Sequence, residues 1–184
     1  MSRLTVYAET DPATPLLDTT DGSRIAEGLV EISVRFARWP AEPGLAAGAS
    51  DQDVLGAYAD EIDNLKRTHG YQAVDIARVR PDHPDRAAMR QKFLSEHRHA
   101  EDEVRVFVDG SALFYLRDAG RVHLVVCEAG DMISVPAGIR HWFDMGPAPR
   151  FTAIRLFTSP EGWVAAYTGD PIADAYPRFE PAVA

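Results

Sequence analysis

Hydrophobic and polar positions give the chain two characters. Over the first ~90 residues the pattern is mixed. RLTVYAE, residues 3–9, alternates with a period of two, as a half-buried strand does. SRIAEGLV, 23–30, predicts a short helix, and after VRFARW the Pro, Gly and Ala of PAEPGLAAGAS, 40–50, read as a loop. Ser50 then opens the clearest helix, DQDVLGAYADEIDNLKRTH, 51–69. Leu55, Tyr58, Ile62 and Leu65 form one apolar stripe, better suited to core packing than to a binding face. Asp51 and Asp53 suit the positive N-terminal end, Lys66 and Arg67 the last turn, and Gly70 the stop. YQAVDIARVRP predicts another strand, and PDHPDRAAMRQKFL a loop leading into a short helix.

From about residue 97 the pattern becomes β-rich. EVRVFVDG, ALFYLRDAG, RVHLVVCEAGD, MISVPAG, HWFDMG and RFTAIRLF each end at Gly, Asp or Pro or run directly into the next segment, a spacing expected of a β-sandwich or barrel. The reading is one domain over 1–184, mainly β. A helical and mixed α/β N-terminal cap (about 1–92) precedes a β-barrel core (about 93–170) and a C-terminal tail (171–184).

Composition narrows the function classes. With 46% apolar and 26% charged residues the chain is an ordinary globular one. A formal net charge of −9, with no run of Lys and Arg, argues against nucleic-acid and anionic-membrane partners. Cys127 is the single cysteine, which excludes an intrachain disulfide and a zinc–thiolate cluster. MSRLTVYAETDPATP has no apolar signal region, and no stretch approaches the ~20 apolar residues of a membrane span. A reducing cytoplasm is the expected location. The absence of an obvious exposed apolar stripe favours a monomer.

SEHRHAEDEVRVF, residues 95–107, is the chemically unusual stretch, with His97, His99 and Glu103 close together. On a strand the two histidines share a face, but a straight strand puts Glu103 about 20 Å from His97 at ~3.3 Å per residue. The three converge on one ion only if the chain folds back, and Ala100–Asp102 is the place for that turn. Otherwise His97 and His99 are surface histidines among acids. A fourth piece follows in GDMISVPAGIRHWF, which brings His141 after a Pro136–Ala137–Gly138 turn. His123 in RVHLVV is a rival ligand or a hydrogen-bonded core histidine. His69 suits a helix C-terminus, His83 lies in a proline-rich loop, and Cys127 reads as a buried small hydrophobe.

H-x-H-x3-E with Gly110 beyond it, followed by G-x5-P-x-G-x2-H at Gly130, Pro136, Gly138 and His141, resembles the paired metal motifs of the cupins. Two flanking positions depart from that pattern: Gln91 stands where a glycine is expected and Met145 where an asparagine is. The resemblance implies a cupin-type jelly-roll barrel with His97, His99, Glu103 and His141 as metal ligands. Three imidazoles and a carboxylate suit a six-coordinate Fe(II), Ni(II), Co(II) or Mn(II) better than a closed zinc site.

FLSEHRHAEDEVRVFVDG, FTAIRLFTSPEGWVAAYTGD, YADEIDNLK and HGY carry the likeness further, and the chain resembles the acireductone dioxygenase family over most of its length. That implies Fe(II) or Ni(II), one per chain, with acireductone (1,2-dihydroxy-3-keto-5-methylthiopentene) and O2 as substrates, in methionine salvage. Iron would give formate and 4-methylthio-2-oxobutanoate, and nickel formate, CO and 3-methylthiopropanoate. Arg105 matches a family arginine that stabilises the enediolate dianion; the alternative is a salt bridge to a neighbouring carboxylate. Glu96 matches a position linked to metal incorporation and Asp102 one that relays local change, against plain surface carboxylates. Phe93, Phe143 and Trp163 match substrate-lining aromatics, against ordinary core residues. Two other functions stay open: a different metal-dependent cupin dioxygenase, or a non-catalytic cupin that binds a small molecule.

Overall fold

A computed structural model describes residues 1–39, 45, 48–159 and 164–180. The alternating segment at the start forms β1 (Arg3–Ala8), which pairs antiparallel with β2 (Asp11–Thr19). Patterning does not predict β2, because Pro12 and Pro15 interrupt it; it is the end strand of its sheet, where proline is tolerated. Helix α1 (Gly22–Val30) begins at Asp21, whose carboxylate accepts from the N–H groups of Ser23 and Arg24, and buries Ile25 and Leu29. β3 (Arg35–Arg38) follows.

The helix expected over 51–69 is two helices, α2 (Asp51–Ala57) and α3 (Ala59–His69), broken at Tyr58. Gly56 weakens the turn before the break, and the Tyr58 side chain is buried with its ring 5.8 Å from that of Trp39. The break lets Val54 of α2 and Ile62 and Leu65 of α3 pack into one cluster. Ser50 and Asp53 form a capping box at the start, and Gly70, with φ 75°, ends α3. β4 (Ala73–Val79) and α4 (Arg86–Phe93) lie where the pattern puts them.

Beyond α4 the chain is strands: β5 (His97–Arg98), β6 (Glu103–Asp118), β7 (Arg121–Glu128), β8 (Asp131–Val135), β9 (Arg140–Asp144), β10 (Phe151–Phe157) and β11 (Ala166–Tyr167), before a 3-10 turn at Pro171–Ala175. All pairings are antiparallel. One layer runs β11-β5-β9-β6-β7-β1-β2, the other β4-β10-β6-β8-β3. The N-terminal region is mixed, as expected, and three of its strands are built into the barrel: β1 beside β7, β3 beside β8 and β4 beside β10.

β6 belongs to both layers. The two runs that patterning separates at Gly110 are one strand of 16 residues with an irregularity inside it. Ala153 pairs with Phe107 and Thr152 with Asp109, so Val108 is an extra residue, and Gly110 sits at φ 72°. The insertion inverts the facing. Glu103, Arg105 and Phe107 point inward before it, and Ala112, Phe114 and Leu116 after it. The interior is aromatic, with Phe107, Phe114, Phe143 and Phe151 in contact around one another. Outward-facing Val104, Val106, Ile154 and Leu156 pack with the α2 and α3 residues, and Leu113, Tyr115 and Trp142 pack with Ala173, Tyr176 and Phe179 of the C-terminal segment. Among the described residues no helix is long and apolar enough to cross a membrane.

A Cβ at Gly110 would lie 1.8 Å from the Arg150 carbonyl oxygen. Gly110→Ala therefore combines a backbone clash with a left-handed φ. It is expected to cost at least ~2 kcal/mol and to lower the melting temperature by about 5 °C or more, read by thermal unfolding.

Several carboxyls are held below their ordinary values by hydrogen bonds: Glu9 and Asp170 from Arg117, Asp18 from Arg3, Asp21 from Ser23 and Asp53 from Ser50. A depressed carboxyl contributes stability above its unfolded value and loses it as the folded form protonates. Denaturant midpoints should thus hold steady near neutrality and fall once pH drops below the unfolded values of 3.8 to 4.5.

Candidate metal centre

The site is assembled by strand pairing and one reversal. β5 lies beside β9 with His97 opposite His141, and β9 lies beside β6 with His141 opposite Leu116. After His99 the chain bends through Ala100 and Glu101, and Glu103 opens β6. Two hydrogen bonds tie that bend to the turn before His141. Ala137 N–H donates to Asp102 Oδ1 at 2.9 Å, and Gly138 N–H to the His99 carbonyl at 2.9 Å. The imidazole centroids end 4.5 Å apart for His97 and His141, and 5.0 Å for His99 with each of them. One ring nitrogen of each lies within 4.8 Å of the others, and all three side chains are buried.

Each Nδ1 faces a backbone carbonyl: His97 that of Ser95 at 2.8 Å, His99 that of Val164 at 3.0 Å, His141 that of Ile139 at 2.8 Å. A carbonyl oxygen only accepts, so Nδ1–H donates in all three, and each ring in its neutral form turns its Nε2 lone pair inward. Glu103 Oε2 lies 3.1 Å from Nε2 of both His99 and His141. A lone pair facing a carboxylate oxygen at that distance repels unless a cation lies between them. Adjacent donors around a six-coordinate ion with bonds of ~2.1 Å are ~3.0 Å apart, and around a tetrahedral ion ~3.4 Å. The donor types fit a divalent ion, and the two 3.1 Å separations lie near the six-coordinate value.

The charges fit as well. Burial and the proximity of His141 push His97 down to about 4, which leaves it neutral at ordinary pH. At His99 burial opposes the charged form, but the Glu103 carboxylate outweighs it and raises the pKa. Burial alone would raise the Glu103 carboxyl; the Arg105 cation and the two imidazoles hold it well below its ordinary value. Arg105 Nε donates to Glu103 Oε1 at 2.7 Å, leaving Oε2 toward the histidines. The guanidinium is buried, with its carbon 4.5 Å from the Phe143 centroid and 5.4 Å from that of Phe114. Both readings of Arg105 meet here: it pairs with a carboxylate and also borders the cavity.

That cavity, about 150 Å³, opens over His97, His99, Glu103 and His141, and its lining includes Phe93, Phe143 and Arg105. Phe93 and Phe143 meet edge to face at 6.1 Å. Trp163 lies outside the described residues. Asp102 sits in the bend described above. Glu96 is not a surface carboxylate: it is buried and bound to Arg117 at 3.0 and 3.2 Å, because it turns away from the cavity His97 faces. His123 is buried between Val6 and Leu116 in the strand ladder and is not part of the three-histidine group. His69 accepts from Arg35 at 2.8 Å and His83 from the Asp85 N–H at 3.1 Å, both apart from the centre. Cys127 is a core residue.

The sequence reading omits Lys92, Arg155 and Tyr167, which also line the cavity. Arg155 was legible as the cation inside the apolar run FTAIRLF, and it lies opposite Arg105 in register and pairs with Asp75 at 2.6 and 2.8 Å. Nothing local marks Tyr167 or the Val164 carbonyl, since a chain return of over sixty residues brings them to His97 and His99.

Known proteins are similar to this chain. The sequence pattern of the ARD/ARD' family matches residues 3–165. Acireductone dioxygenase of Parvibaculum lavamentivorans is 58% identical over 98% of each chain, and that of Pseudomonas aeruginosa is 55% identical over 98% of this chain and 99% of its own. A structure described as acireductone dioxygenase from Bacillus anthracis with cadmium ion in active center superposes with a TM-score of 0.79 at 27% identity, covering 91% of this chain and 98% of that one. The barrel is accordingly of the cupin type. With a family pattern spanning most of its length and relatives above half identity end to end, this chain belongs to the ARD/ARD' family.

Proposed function

We propose that the chain is a metal-dependent dioxygenase acting on acireductone and O2 in methionine salvage, with His97, His99, Glu103 and His141 as ligands of Fe(II) or Ni(II). The observation that carries the reading is the convergence of three buried imidazoles, with Nε2 of His99 and of His141 each 3.1 Å from the buried Glu103 carboxylate. A divalent ion held by these four donors would supply Lewis-acid chemistry to the bound enediol.

The remaining work falls to side chains of the chain itself. An enediol beside a ketone becomes electron-rich as it loses its protons, so the site must favour its anionic form. The buried Arg105 cation borders the cavity and offsets that negative charge where water cannot screen it. Glu103 Oε1 and the Phe143 ring hold the guanidinium in place. Phe93 and Phe143 restrict water around the reacting carbons, and Lys92 and Arg155 make the lining more positive. A different cupin dioxygenase would use the same ligands but would not act on this substrate, and a binding protein would not turn over.

Iron-loaded chain mixed with acireductone in air should consume the enediol chromophore well above the uncatalysed rate, yielding formate and the 2-keto acid; the nickel form should release CO. Decay at the background rate would exclude the proposed reaction. His141→Ala should reduce bound metal to well below one per chain by elemental analysis, because it deletes a donor that the barrel holds in place. Arg105→Ala should keep its metal, since the ion itself balances Glu103, and lose about 10²-fold or more in kcat. An unchanged kcat would remove Arg105 from the chemistry.

A further inference from the structure

A second group of charges, with Glu96 and Arg117 buried, lies behind the imidazoles. His97 and Glu96 are consecutive but face different hollows: His97 the metal cavity, Glu96 one of about 320 Å³ that also includes Asp170, and Tyr167 borders both. Two of the residues that line the second, Glu96 and Asp170, meet Arg117 of β6, which binds three carboxylates in all. Its Nη2 donates to Glu9; its Nη1 donates to Glu96 at 3.0 and 3.2 Å and to Asp170 Oδ2 at 2.8 Å. Arg117 and Glu96 are buried, Glu9 is half-buried and Asp170 exposed, so the cost of desolvation falls on the Arg117–Glu96 pair.

The geometry of the residues they bind suggests what the cluster does. Thr168 donates its N–H to the Glu96 carbonyl at 3.1 Å and its hydroxyl to Glu96 Oε2 at 2.8 Å, and the Asp170 N–H donates back to the Thr168 hydroxyl at 3.2 Å. Residues 168–170 are thereby clamped to the neighbour of His97. Directly before the clamp, β11 pairs Tyr167 with His97 and Ala166 with Arg98, and the Tyr167 ring lies 5.7 Å from the His97 ring. Two residues earlier Val164 supplies the carbonyl that accepts from His99 Nδ1–H. One tether therefore backs two of the three imidazoles.

We infer that Arg117 is a positioning residue of the metal centre, anchoring residues 164–170 through Glu96 and Asp170 so that this segment orients His97 and His99 and slows loss of the ion. The inference rests on the metal reading above. Partners behind a ligating histidine typically change metal affinity by about 10–100-fold when removed. Arg117 makes no contact with the cavity itself, so its effect passes through the segment it holds.

The test compares nickel-loaded wild type with Asp170→Asn, Thr168→Val and Arg117→Lys. Ile62→Val, in the helix-packed cluster away from the centre, serves as a stability control. Release of Ni(II) into excess chelator and hydrogen exchange at amides 164–170 are measured beside melting temperature. Asp170→Asn and Thr168→Val should each release nickel about tenfold faster and exchange faster at 164–170. Their double variant should be little faster than the worse single, because both cut one tether. Arg117→Lys should fall between them and wild type, since one ammonium cannot serve all three acids. Unchanged release, or release that merely follows melting temperature across the series with Ile62→Val on the same line, would overturn the inference alone. A wild type that takes up no nickel would overturn the metal reading as well.

Discussion

Two imidazole nitrogens and an ionised carboxylate meet at 3.1 Å inside a protein, with a third imidazole beside them. Left alone, such a group would spread apart or take up protons. It is kept together because each ring is pinned from behind by a main-chain carbonyl and Glu103 is pinned by Arg105. The surrounding fold can be understood as what is needed to impose that repulsion: strand ladders that place His97 opposite His141, and a bend tied by Asp102 and Gly138 to the turn ahead of His141. A cation converts the repulsion into binding, so the cost of assembling the donors falls on folding and not on the ion.

β6 makes this arrangement compatible with a packed barrel. Before its irregularity it carries Glu103 and Arg105 on the inner face with Phe107; after it, Ala112, Phe114 and Leu116 continue that face. Without the extra Val108 the second half of the strand would turn Tyr115 and Arg117 inward and Phe114 outward. The site charges and the aromatic core would then compete for one space. The same alternation separates two electrostatic compartments, with Glu103 and Arg105 beside the cavity and Glu96 and Arg117 behind it.

Acting on an enediol also asks the site to handle negative charge in a chain that is itself acidic, with a net charge of −9. Local placement answers this. The cavity lining includes Lys92, Arg105 and Arg155, while the acids nearest the centre are committed: Glu103 to Arg105 and the imidazoles, Asp75 to Arg155, Glu96 to Arg117. Net charge describes how the whole molecule meets solvent and says little about a pocket lined by a few side chains.

Local rules made much of this legible. The alternation of RLTVYAE, the capped helix start at Ser50, the stop at Gly70 and the succession of β-runs after residue 97 each follow from interactions within a few residues, and each recurs in the fold. The four candidate donors came from the resemblance of the H-x-H-x3-E and G-x5-P-x-G-x2-H spacings to the cupin motifs, and the turns at Ala100–Asp102 and Pro136–Gly138 were legible because they are short and carry their own residue signals. What patterning could not give depends on which strand lies beside which. The break at Tyr58 answers to the sheet and to Trp39, the union of two runs into β6 to neighbours on both layers, and the partners of Glu96 to Arg117 and Thr168 far along the chain. Sequence determines which side chains can act as donors and where the backbone can turn, since those are properties of single residues and short segments. Tertiary structure decides which face each donor meets, because a one-residue shift in β6 exchanges inside for outside and nothing local sets that register.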